Sequence, residues 1–188
     1  SIIQMSKYHL KNGTTSLLPT TLTATLKDTN KALYGINNFL DDLYKESNIE
    51  GIHLEGPFIN PKKLGAQPSF AQIPNIDFVK EIMSIAKVKI VTLAPEIENS
   101  NNLIDFLFKE NIKVQLGHSL ADYECCIKIM NKNKVGFTHL YNAMSGDNHR
   151  NPGVLTAALR HAEYAEIICD LHHVHKENIH LAAKCIPG

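Results

Sequence analysis

Along this chain, short runs of β-branched and other apolar residues alternate with longer stretches in which apolar positions recur every three to four residues. The first pattern belongs to strands, the second to one face of a helix. The runs predict strands over residues 15–20, 49–54, 89–93, 113–116, 135–139 and 165–170, and the stretches between them predict helices over 29–44, 77–86, 100–110, 121–131, 153–161 and 176–184. Asp77 and Ser100 stand at the starts of their helices as N-caps, where a side-chain oxygen can accept from the free N–H groups of the first turn. The strand segments are apolar almost throughout, the habit of a parallel sheet covered on both faces. No Gly/Ser linker or low-complexity stretch interrupts the series, so residues 1–188 are expected to form one α/β domain of about six β/α units.

Such a series can build an open doubly wound sheet or a barrel. Polar residues suited to chemistry follow nearly every predicted strand, whereas an open sheet gathers its ligand at one switch point. No GxGxxG turn or GxxxxGK[ST] loop follows a strand either. The expectation is therefore a (β/α)8 TIM-type barrel, here incomplete, because a full barrel takes ~250 residues and this chain has 188. The opening Ser1-Ile2-Ile3-Gln4 is neither an initiator Met nor a signal peptide, and the chain reads as starting within a longer sequence.

Composition narrows the partners. The 19 basic and 19 acidic residues cancel, which leaves no electrostatic footprint for nucleic acid or an anionic membrane. No apolar run approaches the ~18 residues of a membrane span. Cys125, Cys126, Cys169 and Cys185 show no CxxC spacing and read as small buried hydrophobes of a reduced, cytoplasmic protein.

Three predicted strand ends carry metal-capable side chains: His53-Leu54-Glu55-Gly56-Pro57-Phe58, Leu116-Gly117-His118-Ser119 and Phe137-Thr138-His139-Leu140-Tyr141-Asn142. In a parallel barrel the strand ends converge on one face, so residues far apart in sequence meet there. One carboxylate and two imidazoles, with positions left for water or substrate, suit a divalent ion that activates water. Each residue alone could equally be a separately satisfied side chain near a strand end; it is the three together that point to a site.

These stretches, with Lys63-Leu64-Gly65-Ala66-Gln67-Pro68, Thr92-Leu93-Ala94-Pro95-Glu96, His149-Arg150-Asn151-Pro152-Gly153 and Asp170-Leu171-His172-His173-Val174-His175, come in an order that resembles the N-acetylglucosamine-6-phosphate deacetylase family of the amidohydrolase superfamily. The resemblance implies a hydrolase of amino-sugar and carbohydrate metabolism that converts N-acetylglucosamine 6-phosphate to glucosamine 6-phosphate and acetate. It implies Glu55, His118 and His139 as ligands of one divalent metal, zinc or iron, with a second ion possible in the intact protein. Asn142, Ala143 and Arg150 would surround the sugar phosphate, and Gln67 and His173 would lie against the sugar or its acetamide. His173 would help stabilise the oxyanion, while the general base would be an Asp beyond residue 188. A homodimer is implied as well.

From the residues alone, Arg150 could be a phosphate fork or a solvated loop cation, Asn142 a turn former, Gln67 a loop amide, and the His172, His173, His175 stretch a second metal cluster or exposed imidazoles. Leu171 stands where the family usually has Gly. Relative to the family, the first and last barrel strands and a small β-sandwich are not represented, so the segment alone is expected to be inactive. A non-catalytic sugar-phosphate-binding role, or hydrolysis of another amide, are the competing readings.

Overall fold

The computed structural model describes residues 2–43 and 48–187, with backbone only for 38–43. The elements are α1 (Ile2–Lys11), β1 (Ser16–Leu17), α2 (Leu26–Leu43), β2 (Asn48–Ile49), β3 (Ile52–Glu55), α3 (Ile76–Ile85), β4 (Val88–Leu93), α4 (Ser100–Lys109), β5 (Lys113–Leu116), α5 (Tyr123–Met130), β6 (Gly136–Phe137), α6 (Val154–His161) and α7 (Lys176–Cys185). Strands β3, β4, β5 and β6 form a parallel sheet in chain order, and helices α3, α4 and α5 connect them. Strands β1 and β2 pair in parallel apart from it, and a bridge between Thr20 and His53 joins the first segment to β3. Strand neighbours that follow sequence order through helical crossovers are the arrangement of a TIM-type barrel, as expected.

The second predicted strand is divided. Gly51 has φ 147°, and a Cβ there would run into the Lys87 carbonyl and the Lys89 side chain. Its freedom lets the chain bend between β2 and β3, and the β3–β4 register shifts beside it, between Ile52 and His53.

The sixth predicted strand does not form. Residue 166 makes two ladder-like bonds beside β6, Glu166 N to Phe137 O at 2.9 Å and Leu140 N to Glu166 O at 2.7 Å. The chain then leaves, because Asp170 accepts the backbone N–H groups of His172 and His173 and closes a turn.

The caps also differ from expectation. Asn75, not Asp77, caps α3, its Oδ1 accepting from Asp77 N at 2.8 Å and Phe78 N at 3.2 Å. Helix α4 begins after Asn99 with no side-chain cap, and the Ser100 hydroxyl instead donates back to Ala94 O. Helix α1 was not expected, and Tyr44, the last residue of the first predicted helix, lies outside the described residues.

Leu54, Val91, Leu93, Val114, Leu116 and Phe137 on the strands are fully buried with Val79, Ile82, Leu103, Leu107 and Cys126 from α3, α4 and α5. Each such large side chain is worth roughly 1.5–3 kcal/mol of burial. All four cysteines are free thiols, but only Cys126 is a buried hydrophobe, its thiol pushed up to about 12 by burial; Cys125 is half-buried, while Cys169 and Cys185 are exposed. Among the described residues no helix is long and apolar enough to cross a membrane.

Candidate metal centre

The pairings Glu55 with Thr92, Leu93 with Leu116 and Leu116 with Phe137 bring the ends of β3, β4, β5 and β6 to one level. Glu55 closes β3, while His118 and His139 each follow their strand by two residues. Both histidines have positive φ, 49° and 36°, as do Tyr141 at 78° and Ala143 at 50°. Non-glycine residues in this region are uncommon and gather at functional sites. Gly117, just before His118, is closely enclosed: a Cβ there would lie 3.0 Å from Thr92 Cγ2 and 3.2 Å from Thr138 Cβ, so those side chains would have to give way.

The three side chains converge. His118 Nε2 lies 2.9 Å and His139 Nε2 3.5 Å from Glu55 Oε1, and the two Nε2 atoms are 3.0 Å apart with their rings nearly perpendicular. His118 Nδ1 donates to Lys63 O at 2.8 Å, so in the neutral ring the lone pair is on Nε2. That lone pair faces a carboxylate oxygen and a second imidazole nitrogen. Three electron-rich atoms crowded in this way suit a cation between them, and this is the one group among the described residues with metal-ligand spacing. Burial by itself would raise the Glu55 carboxyl, but the two imidazoles beside it hold it far below the usual carboxylate range. Burial pulls the His139 imidazole down, and the adjoining Glu55 carboxylate overcomes it and raises it.

Gln67 belongs to this group physically. Its Nε2 donates to Glu55 Oε1 at 2.7 Å, while its Oε1 accepts from Thr23 N at 2.6 Å, so the buried amide is committed at both ends. Asn142 and Ala143 follow directly: Asn142 N donates to His139 O at 2.9 Å, and Ala143 O accepts from Ser119 N at 3.1 Å.

Two expected residues sit outside the cluster. Arg150 is exposed, its backbone N held by Asn148 Oδ1, and among the described residues its guanidinium has no partner. His173 is half exposed, with Nδ1 donating to Asp170 Oδ2 at 2.6 Å. Backbone N–H bonds from His173 and His172, with that side-chain bond, lower the exposed Asp170 carboxyl to about 2. Leu171 takes φ 65° in this turn, the left-handed region that favours glycine. His175 caps α7 and, among the described residues, joins no ligand group.

Sequence reading missed the polar floor beneath the group. His53 Nε2 lies 2.6 Å from Thr92 Oγ1, which lies 2.6 Å from Thr138 Oγ1; Thr138 bonds Gln115 Oε1 at 2.5 Å, and Gln115 Nε2 bonds Glu166 Oε1 at 2.8 Å. Burial lowers the His53 imidazole, partly opposed by Glu166 and Glu55. The signal was present: polar Thr92 and Gln115 stand between apolar neighbours within their strands.

No family model matches the chain. It is 35% identical over 190 residues to the N-acetylglucosamine-6-phosphate deacetylase of Vibrio furnissii, covering 98% of this chain and 47% of that one. It is 37% identical over 187 residues to the same enzyme of Bacillus subtilis, covering 96% and 46%. It is 32% identical over 187 residues to the N-acetylgalactosamine-6-phosphate deacetylase of Escherichia coli O157:H7, covering 97% and 49%. The crystal structure of the N-acetylglucosamine-6-phosphate deacetylase of Thermotoga maritima superimposes with TM-score 0.86 at 31% identity, over 97% of this chain and 50% of that one. A Mycobacterium smegmatis deacetylase variant in complex with N-acetyl-D-glucosamine-6-phosphate gives 0.85 at 26%, over 96% and 48%. The chain thus spans about half the length of the relatives it matches.

Proposed function

We propose that this chain, which groups by sequence and fold with the N-acetylglucosamine-6-phosphate deacetylases, forms the metal-holding part of one barrel domain of such an enzyme and acts in hydrolysing the acetamide of N-acetylglucosamine 6-phosphate. The observation that carries this is the single carboxylate oxygen, Glu55 Oε1, faced by the Nε2 atoms of His118 and His139.

Those three side chains fit a divalent ion, zinc or iron. When bound, such an ion polarises the amide carbonyl and acidifies a water molecule. Glu55 is a ligand and not the base, because its neighbours lower its carboxyl so far below the usual range that it is a weak proton acceptor. Proton transfer falls to another carboxylate, the Asp that the resemblance puts after the last barrel strand. Asp170 accepts the Nδ1–H of His173, so it is as the doubly protonated imidazolium that the ring would also present an Nε2–H to the substrate's acetamide oxygen. Asn142 and Ala143, directly beyond His139, line the sugar side, and the free fork of Arg150 binds the phosphate. The enzyme works in the cytoplasm as a homodimer.

Likeness to an N-acetylgalactosamine-6-phosphate deacetylase favours one second reading, the C4 epimer as substrate. The test is acetate release from the two N-acetylhexosamine 6-phosphates by the metal-loaded intact enzyme and by its His118→Ala variant. Metal-dependent release that the variant loses is expected, together with about one equivalent of metal lost, since two protein ligands rarely hold a catalytic ion. Unchanged metal content in the variant, or release that is indifferent to metal, would overturn the reading.

A further inference from the structure

Glu96 sits in the loop after β4 and touches none of the three converging side chains, yet it is tied to the backbone of His118 from two directions. Its Oε2 accepts from the Ser119 hydroxyl at 2.7 Å, and its Oε1 accepts from Leu120 N at 2.6 Å and from Asn60 Nδ2 at 2.9 Å. The first two bonds grip the residues immediately after His118. The third reaches the opposite side. Asn60 N donates to His118 O at 2.9 Å, Asn60 Oδ1 accepts from Lys62 N at 2.9 Å, and Asn60 O accepts from Lys63 N at 2.8 Å. The turn so formed presents Lys63 O, which takes the Nδ1–H of His118. A closed ring results: Glu96, Ser119 and Leu120, His118, Lys63, Asn60 and back to Glu96.

His118 needs such a ring. Its φ of 49° is a conformation an L-residue does not hold unaided, and its ring must point Nε2 at Glu55. One carboxylate accepting three hydrogen bonds from two loops supplies both constraints, the backbone through Ser119 and Leu120 and the ring orientation through Asn60 and Lys63. Neighbours of this kind fix the tautomer of a ligating histidine and typically carry 10–100-fold in metal affinity.

We infer that Glu96 is a positioning residue that holds His118 in its left-handed backbone and with Nε2 free for a divalent cation; the cation's part in this rests on the proposed function. Geometry also separates charge from shape. In Glu96→Gln the amide oxygen can still accept from Asn60 and Leu120, and its NH2 can donate to the Ser119 hydroxyl, which already accepts from Ala121 N. In Glu96→Ala all three bonds go.

The test uses the full chain and three readouts, two of them in metal-free protein. Nitrogen NMR reports the His118 tautomer, and hydrogen exchange reports the Asn60 and Leu120 amides, with Leu107 in α4 as the folding control. Glu96→Ala is expected to mix the tautomers, speed exchange at both loop amides, leave Leu107 protected, and weaken zinc binding on the order of 10–100-fold. Glu96→Gln is expected to restore the tautomer, with zinc affinity close to native. An unmixed tautomer with unchanged Asn60 exchange in Glu96→Ala would overturn the inference. If that variant loses Leu107 protection and is therefore unfolded, Asn60→Ala, which cuts one arm of the ring, decides: a mixed tautomer supports the ring and a native one removes it. Failure of the unmutated chain to bind zinc would count against the metal reading alone, because the metal-free readouts still judge Glu96.

Discussion

Gln67 Nε2 donates to Glu55 Oε1 at 2.7 Å, the same oxygen that the two imidazole nitrogens face. Its amide oxygen is taken by the Thr23 backbone, so the side chain can neither rotate nor leave without stranding a buried donor.

Replacing Gln67 by Ala is therefore expected to weaken divalent-metal binding by roughly 10–100-fold, the usual weight of a ligand's supporting bond. Calorimetric titration with zinc measures it. A variant that binds zinc normally but loses sugar-phosphate affinity would put Gln67 against the sugar instead.

If the unpartnered Arg150 fork binds the phosphate, Arg150→Ala in the intact enzyme should raise KM for the 6-phosphate substrate and barely alter that for unphosphorylated N-acetylglucosamine. The lost charge-assisted contact corresponds to roughly 1.5–3 kcal/mol. Steady-state kinetics on both substrates decide this, and equal effects would make Arg150 structural.

The Asp170 turn should respond to acid in one direction. Its folded pKa is lowered from 3.8 to about 2, so the turn's hydrogen bonds to His172 and His173 are fully present above the ordinary value and are lost as pH falls through about 2. Carbon NMR of the carboxyl should give that midpoint, and the His173 amide should titrate with it. An ordinary midpoint would mean that the turn is not formed in solution.

Leu171 stands exposed at φ 65°, in the left-handed region that favours Gly. Relief of roughly 1–2 kcal/mol of left-handed strain outweighs the roughly 0.5–1 kcal/mol that glycine loses through chain entropy. Leu171→Gly should therefore be neutral to stabilising by up to about 1 kcal/mol in urea melts. A clear loss of stability would show that the Leu171 side chain makes a contact of value.

Much of the site was legible because its signals are local. Glu55, His118 and His139 each end an apolar run and precede turn residues, and the parallel fold does the rest. What stayed hidden depends on partners distant in sequence. Glu96 looks like a solvated loop carboxylate until Asn60 and Ser119 arrive from 36 and 23 residues away. The run over 165–170 has strand composition, but Asp170 offers its backbone a competing turn, and Gly51 splits an apolar run through a clash that only the folded chain creates. The two misplaced caps arose where Asn residues stand one or two positions before the expected ones.

The polar floor under the metal group, buried from His53 to Gln115 and ending on the exposed Glu166, has a direction. Glu166 can only accept, so Gln115 must turn its NH2 toward it and its oxygen toward Thr138. Thr138 thus gives its proton to Gln115 and must receive one from Thr92, which in turn receives from His53 Nε2. A single carboxylate at one end thereby dictates every proton position to the other, including the tautomer of a histidine four links away. The floor is a one-way street: no link can turn round unless all do, and β3, β4, β5 and β6 are held to one another by traffic that flows only toward Glu166.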